Sequence, residues 1–358
     1  EYQLWNRKGN FCQLLNDLLK SKEHAATSII QSFNGKFKLG KNRETISNII
    51  YGNCTTGMKV SLLIPCYNAA NFLPRLIESA RAQTRPFHEI ICYDDASTDH
   101  TVAIAEALGV KIIRGERNSG PSVGRNRLIQ AAAGEWIHFH DADDILHPQF
   151  VAKMTANILD HQTQLLCDCG TQTNEGRIGT PLATYQINPQ TDAIAYFLQH
   201  IGLAVVGLYN RAFLLQHGVY FNEQLRFNED PDFHLRLAMA GARFQSVPET
   251  LVYVIGHANS SSARHWWSCI SNQIFCLQQY GRELPTHYQP LMATLLADKA
   301  YYAIRSGQPS IGYRAIYVLQ QQYRNRFRFS RNYLNLAKKI LGARIFFRLL
   351  FLLSPQKR

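Results

Sequence analysis

From Val60 onward the chain alternates short, unbroken apolar runs with segments of helical periodicity. Val60–Pro65, Glu89–Tyr93, Val110–Arg114 and Trp136–His140 are compact apolar runs of strand length, and such runs mark strands buried on both faces. Between them, Asn71–Ala82 places Phe72, Leu76, Ile77 and Ala80 on one helical face. Thr98–Leu108 and the stretch from Pro121 through Ala133 are predicted as helices as well. Strand–helix alternation of this kind predicts an α/β domain with a mostly parallel sheet flanked by helices.

The pattern differs on either side of that core. Residues 11–51 read as helical, with Leu14, Leu15, Leu18, Leu19, Ile29, Ile30, Phe33, Ile46, Ile49 and Ile50 at helical spacing and glycines at 35, 40 and 52. Past Pro148 the alternation loosens. Val205–Tyr209 and Phe244–Ile255 read as strands, and Glu229–Ala240 as a helix stopped by Gly241. From Ser262 the pattern is helical to the end, interrupted at Pro285, Pro290, Gly307 and Pro309. The expected organisation is a helical extension over 1–57, an α/β domain over 58–262 and a helical region over 263–358.

Charge adds one distinction. Of the 38 Lys and Arg, 13 fall in residues 299–358, which hold no Asp or Glu; the rest of the chain carries 25 against 26 acids. The basicity belongs to a tail and gives no specific support to nucleic-acid binding. Residues 340–353 alternate apolar side chains with Arg344 and Arg348, too short and too charged to span a bilayer but suited to its interface. The eight cysteines form no CxxC pair and read as reduced, buried thiols. The expectation is a cytoplasmic protein, peripheral on the cytoplasmic face of an anionic membrane.

The candidate chemistry sits at strand ends. Asp141, Asp143 and Asp144 crowd three carboxylates just beyond the fourth strand; such crowding is relieved by a hard cation, Mg²⁺ or Mn²⁺, which in turn holds phosphate oxygens. Pro65-Cys66-Tyr67-Asn68 and Asp94-Asp95 follow the first two strands, so all three clusters face the crevice where open parallel sheets bind ligands.

This ordered set, with Gly120 through Arg125-Asn126 and Asn228-Glu229-Asp230, resembles glycosyltransferase family 2 over about residues 59–260. The resemblance implies a Rossmann-like GT-A fold and inverting transfer from a nucleotide-diphosphate sugar, most naturally a UDP-sugar. The acceptor would be a glycan, a lipid-linked sugar or a peptide. It implies that Pro65, Tyr67, Asn68, Asp94, Asp95 and Arg125 bind the nucleotide: Tyr67 stacking on the base, Asp95 bonding it, Asp94 shaping the loop, Arg125 facing base or diphosphate. Asp141, Asp143 and His257 would hold the metal, Asp144 and Glu229 would face donor sugar or acceptor, and Asp230 would be the general base. Two rivals are weaker. A nucleotidyltransferase would carry a Gly-rich basic loop after its first strand, and a non-catalytic sugar-binding module would have lost the carboxylates that stand here.

Overall fold

In the computed structural model, residues 57–173, 176–255, 265–323 and 327–352 are described. The helices expected over 11–51 and the metal-ligand candidate His257 lie outside them. The first half-sheet is built from β1 (Val60–Cys66), β2 (Glu89–Asp94), β3 (Lys111–Arg114) and β4 (Trp136–Phe139), all paired in parallel in the order β3-β2-β1-β4. Helices α1 (Leu73–Arg81), α2 (Thr101–Ala107) and α3 (Pro121–Ala131) make the crossovers. Leu62, Leu63 and Ile64 are fully buried, as are Ile91, Cys92, Ile137 and Phe139, because helices cover both faces of the sheet. Each such Leu, Ile or Phe contributes about 1.5–3 kcal/mol by leaving water.

The register brings the strand ends level. Leu63 pairs with Phe139 and Cys66 with Asp94, while Asp95 N–H donates to Cys66 O (2.8 Å) and His140 N–H to Leu63 O (3.0 Å). The loops after β1, β2 and β4 therefore open side by side, at the point where chain direction around the sheet reverses from β1.

Beyond β4 come β5 (Ile145–Leu146), α4 (Phe150–Ala156), β6 (Thr163–Gln172), β7 (Ile178–Ala183), α5 (Ala193–Gln199), a 3₁₀ turn at Ala204–Val206, β8 (Gly207–Asn210), α6 (Arg211–His217), α7 (Glu229–Met239) and β9 (Arg243–Ile255). The sheet continues as β4-β8-β6-β9-β5 with β7 on β6. The β6–β9 pair is parallel, and the β4–β8, β8–β6, β9–β5 and β6–β7 pairs are antiparallel. The sequence pattern gave no sign of β6 and β7. Nor did it separate β8 from the 3₁₀ turn before it: Gly207, not Val205, begins the strand, and a Cβ there would collide with the Tyr209 ring.

Helices α8 (Trp266–Glu283), α9 (Gln289–Arg305), α10 (Pro309–Tyr323) and α11 (Asn332–Leu352) complete one compact unit over Gly57–Arg358. Pro290 and Pro309 open helices rather than break them, since the first turn needs no proline N–H. Tyr288 O–H donates to Asp192, the N-cap of α5 (2.9 Å), and Asn272 to Phe227 O (2.9 Å), fastening these helices to the α/β domain. Helix α11 is two helices joined at Gly342, whose φ is 72°. Leu334, Phe346 and Phe347 are buried, the two phenylalanines against Phe327 and Phe329, whereas Ile345 is exposed. Among the described residues no helix is long and apolar enough to cross a membrane.

Candidate active site

The loops after β1 and β2 are laced together. Asn68 adopts a left-handed backbone (φ 50°), with its Oδ1 accepting Thr98 N–H (2.8 Å) and its own N–H donating to Ser97 Oγ (2.9 Å). Asp94 accepts Ser97 N–H (3.3 Å), so it shapes its own turn as expected from the sequence. Tyr67 stands at the rim with half its surface exposed, a free π-face beside these loops.

Asp95 joins two segments of the chain. Its carboxylate is buried and accepts the N–H groups of Ser119 and Gly120, both at 2.8 Å. It ties the start of α3 to the end of β2. Gly120, at φ 95°, makes the turn that presents its N–H to Asp95, and Pro121 starts the helix. At Gly124 a Cβ would come within 2.9 Å of the Tyr93 ring, so glycine lets α3 lie directly against β2.

That close approach aims Arg125 inward. Its guanidinium is almost wholly buried: Nη2 donates to Asp141 Oδ1 (2.8 Å), Nη1 donates to Glu229 Oε1 (3.0 Å), and Nη1 also lies 3.3 Å from Asp230 Oδ1. The Phe221 ring lies beneath it, 5.2 Å away. Arg125 thus faces three carboxylates at once. These acids hold its pKa above the ordinary arginine value against the opposing effect of burial.

Glu229 and Asp230 open α7, after Asn228 turns the chain through a left-handed conformation (φ 66°). Asp230 Oδ2 accepts Ala204 N–H (2.9 Å); Oδ1 is buried without a hydrogen-bond donor, since its contact with Arg125 lacks the geometry for one. Burial raises the Asp230 pKa, with Arg125 opposing, and raises that of Glu229 to about 7, helped by Asp230. Beneath them His234 Nδ1 donates to Asp230 O (2.9 Å), which fixes the tautomer and leaves Nε2 to accept from Tyr209 O–H (2.9 Å). Phe139, Tyr209, Phe221 and Phe233 form an aromatic platform under this group, with Phe221 and Phe233 stacked at 4.0 Å.

The acidic loop after β4 divides its carboxylates. Asp141 keeps 40% of its side chain exposed while sharing one oxygen with Arg125. Asp143 receives Arg75 at its main-chain oxygen (3.0 Å). Asp144 turns inward: buried, it accepts Ile255 N–H (3.0 Å) and so anchors the end of β9. Burial and the neighbouring Asp141 and Asp143 push its pKa well up. Among the described residues no three His, Cys, Asp or Glu side chains converge into a metal cage. Cations that carry nucleotides need only one or two carboxylates and take further oxygens from phosphates.

A second buried pair escaped the sequence reading. His138 Nδ1 donates to Gly207 O (2.8 Å), so its Nε2 accepts from His140 Nδ1–H (3.1 Å), and His140 Nε2 is left without a partner. Burial pushes His138 well down and His140 to about 3. In the sequence these positions look like apolar strand positions, and only their neighbours in space show the pair.

Residues 61–215 match the family model for glycosyl transferase family 2. These 155 of the 358 residues carry the likeness to that family. The succinoglycan biosynthesis protein ExoU of Rhizobium meliloti (strain 1021) is 28% identical over 221 residues, 58% of this chain and 64% of that protein. The poly(ribitol-phosphate) β-N-acetylglucosaminyltransferase TarS of Staphylococcus aureus (strain Mu50 / ATCC 700699) is 28% identical over 203 residues, 55% of this chain and 35% of its own length. The chain thus spans less than two thirds of both relatives. The fold is that of S. aureus TarS 1–349 solved in complex with UDP-GlcNAc, at a TM-score of 0.53 and 21% identity over 75% of this chain and 90% of that one. A mannosyltransferase from Pyrobaculum calidifontis, solved with GDP-Man and Mn²⁺, gives a TM-score of 0.50 at 16% identity over 83% and 84% of the two chains.

Proposed function

We propose that the protein is a family 2 glycosyltransferase, an inverting enzyme moving a sugar from UDP to a hydroxyl of a glycan acceptor in envelope or extracellular polysaccharide synthesis. The observation that carries the reading is the bridging of Asp141 and Asp230 by Arg125. One guanidinium brings the carboxylate of the acidic loop and the candidate base into a single, largely buried cluster.

In this reading the acceptor oxygen attacks the anomeric carbon as its proton passes to Asp230. The bond from that carbon to the diphosphate breaks on the opposite face, which inverts the configuration. Asp230 Oδ1, lacking a hydrogen-bond donor, is the oxygen suited to receive the proton. Ala204 N–H holds the other oxygen and fixes the carboxylate's orientation. Tyr67 offers its exposed face to the base, and the laced loops at Asn68 and Asp94 hold that face in place. Asp141 and Asp143 would hold Mn²⁺ or Mg²⁺, which when bound supplies positive charge to the leaving diphosphate. His257, outside the described residues, joins this proposal as a further ligand on the strength of the family resemblance.

The TarS neighbour's UDP-GlcNAc and the ExoU and TarS names support the donor and the polymer class. Attachment to an anionic membrane is a separate proposal, supported by the concentration of basic residues after Lys299. The central test is a panel of UDP- and GDP-sugars, with Mn²⁺ and with EDTA, read by thermal shift and by release of the nucleoside diphosphate. Stabilisation and slow hydrolysis with a UDP-sugar are expected; a response to neither nucleotide class defeats the proposal.

A further inference from the structure

The face of α7 that does not carry Asp230 lines a groove. Asn228, Pro231, Asp232 and Leu235 follow one another there at helical spacing, with α8 and α9 forming the opposite wall. The volume is about 450 Å³, within the range of sites that hold a small ligand. Its walls are mostly apolar, and Trp266 and Tyr302 stand half exposed on them. Tyr302 is held by stacking on Trp267, at 5.6 Å between ring centres. Large aromatic faces presented to water in a concave site are a surface for the flat apolar faces of a ligand.

The polar groups of the groove are mostly spoken for. Asp232 is paired with Arg236 and accepts from Tyr280 O–H, and Asp298 accepts Ser330 N–H (3.2 Å). Lys299 is the exception. Among the described residues its ammonium donates to the neutral Gln273 side chain and meets no carboxylate within ion-pair distance. The side chain is half-buried, and burial pushes its pKa down to about 8 against the pull of Asp298, so the cation is partly withdrawn from water with no carboxylate at ion-pair distance.

We propose that this groove is a distal acceptor subsite that binds a saccharide bearing an anionic group, a carboxylate or a phosphate, with Lys299 and Gln273 on the anion and Trp266 and Tyr302 on the sugar faces. The inference rests on the transferase reading for the word acceptor, but the site itself rests on the groove alone. Asn228 borders the groove two residues before Asp230, so a chain lying in it approaches the base around the N-terminal end of α7. Preference for an acidic polymer would then be set by the C-terminal helices and not by the nucleotide crevice.

The test uses the full chain and four probes: cellobiose, the same disaccharide with its terminal glucose oxidised to glucuronic acid, cellobiose 6-phosphate, and inorganic phosphate. Binding is read by tryptophan fluorescence and saturation-transfer NMR. Binding of UDP with Mn²⁺ is measured in parallel by thermal shift. The acidic disaccharides should bind about tenfold more tightly than cellobiose, the scale of one charge-assisted hydrogen bond. Lys299→Met should erase the advantage, Lys299→Arg should restore it, and Trp266→Phe should remove the fluorescence response. UDP binding should be unchanged in all three variants. Equal affinity for neutral and acidic disaccharides overturns the proposal, as does an advantage that survives Lys299→Met. Inorganic phosphate binding as tightly as the disaccharide phosphate overturns the saccharide part. Loss of UDP binding in the unaltered protein with the Lys299 effect intact would defeat the transferase reading and leave the groove standing.

Discussion

Arg125 Nη1 lies 3.3 Å from Asp230 Oδ1 while the same guanidinium, through Nη2, holds Asp141 Oδ1 at 2.8 Å. One buried cation therefore meets an acid of the loop after β4 and an acid of the first turn of α7, which the reaction would use for different purposes. With Glu229 also on Nη1, the cluster is one positive charge against three carboxylates, and the pKa values of Glu229 and Asp230 rise in consequence of burial.

Replacing the cation exposes that imbalance. Arg125→Met should destabilise the fold by about 3–5 kcal/mol, the scale for leaving buried charge without its partner. Denaturant midpoints check this. Arg125→Lys should recover part of the stability but not the fork that spans Asp141 and Glu229, and its transfer activity should stay low.

Asp143 and Asp230 should separate by function. Asp143→Asn removes an oxygen charge expected on the cation, so Mn²⁺-dependent stabilisation by UDP should weaken along with transfer. Asp230→Asn should leave UDP binding intact while transfer falls by about 10²- to 10⁴-fold, the usual loss for a general base. Calorimetric titration of UDP with Mn²⁺, run beside product assays, distinguishes the two. Proton NMR coupling constants of the product should show an inverted anomeric centre.

Acid should unfold the protein through its buried histidines. The pKa of His140 is held at about 3, that of His234 at about 4 and that of His138 well below its ordinary value. Below about pH 6.5 the unfolded chain takes up protons that the folded one refuses, so stability falls as pH drops, by up to about 1.4 kcal/mol per unit for each group. Glu229 works with the opposite sign: its raised pKa of about 7 favours the protonated acid, so its contribution is full below the ordinary carboxylate range and is lost as pH rises through 7. Thermal melts from pH 4.5 to 8 should therefore peak near neutrality. Glu229→Gln should remove this opposing slope, so that stability falls more steeply between about pH 7 and 4.5 while the profile above 7 stays as it was.

The tail can be tested without unfolding it. Phe346 and Phe347 are buried against Phe327 and Phe329, so truncation before Ser330 should lower the melting temperature whatever the membrane does. Arg328→Gln with Lys339→Gln alters two exposed cations outside that packing. Flotation with anionic liposomes at low salt should show binding that this double variant weakens and that neutral liposomes do not support.

The sequence by itself determined the first half-sheet and the order of the polar loops. Strands covered on both faces must be continuous apolar runs, and chemistry at their ends is local in sequence, so Val60–Cys66 and Asp141–Asp144 were legible without coordinates. Helix α7 was legible too, from its acidic first turn and the glycine beyond its end. Partnership across the chain was not. Arg125 reads as an arginine on a helix, and only the closeness of α3 to the sheet at Gly124 turns it onto Glu229 and Asp230. Asp95 and Asp144 stand in motifs that suggest ligand contact, yet both are buried on backbone N–H groups of distant segments. Lys299 stands among charged residues of a basic tail, and its lack of an acidic partner exists only once α8 and α9 face α7. Local pattern fixes which segments must leave water, whereas the pairing of a buried charge depends on which segments meet after they have done so.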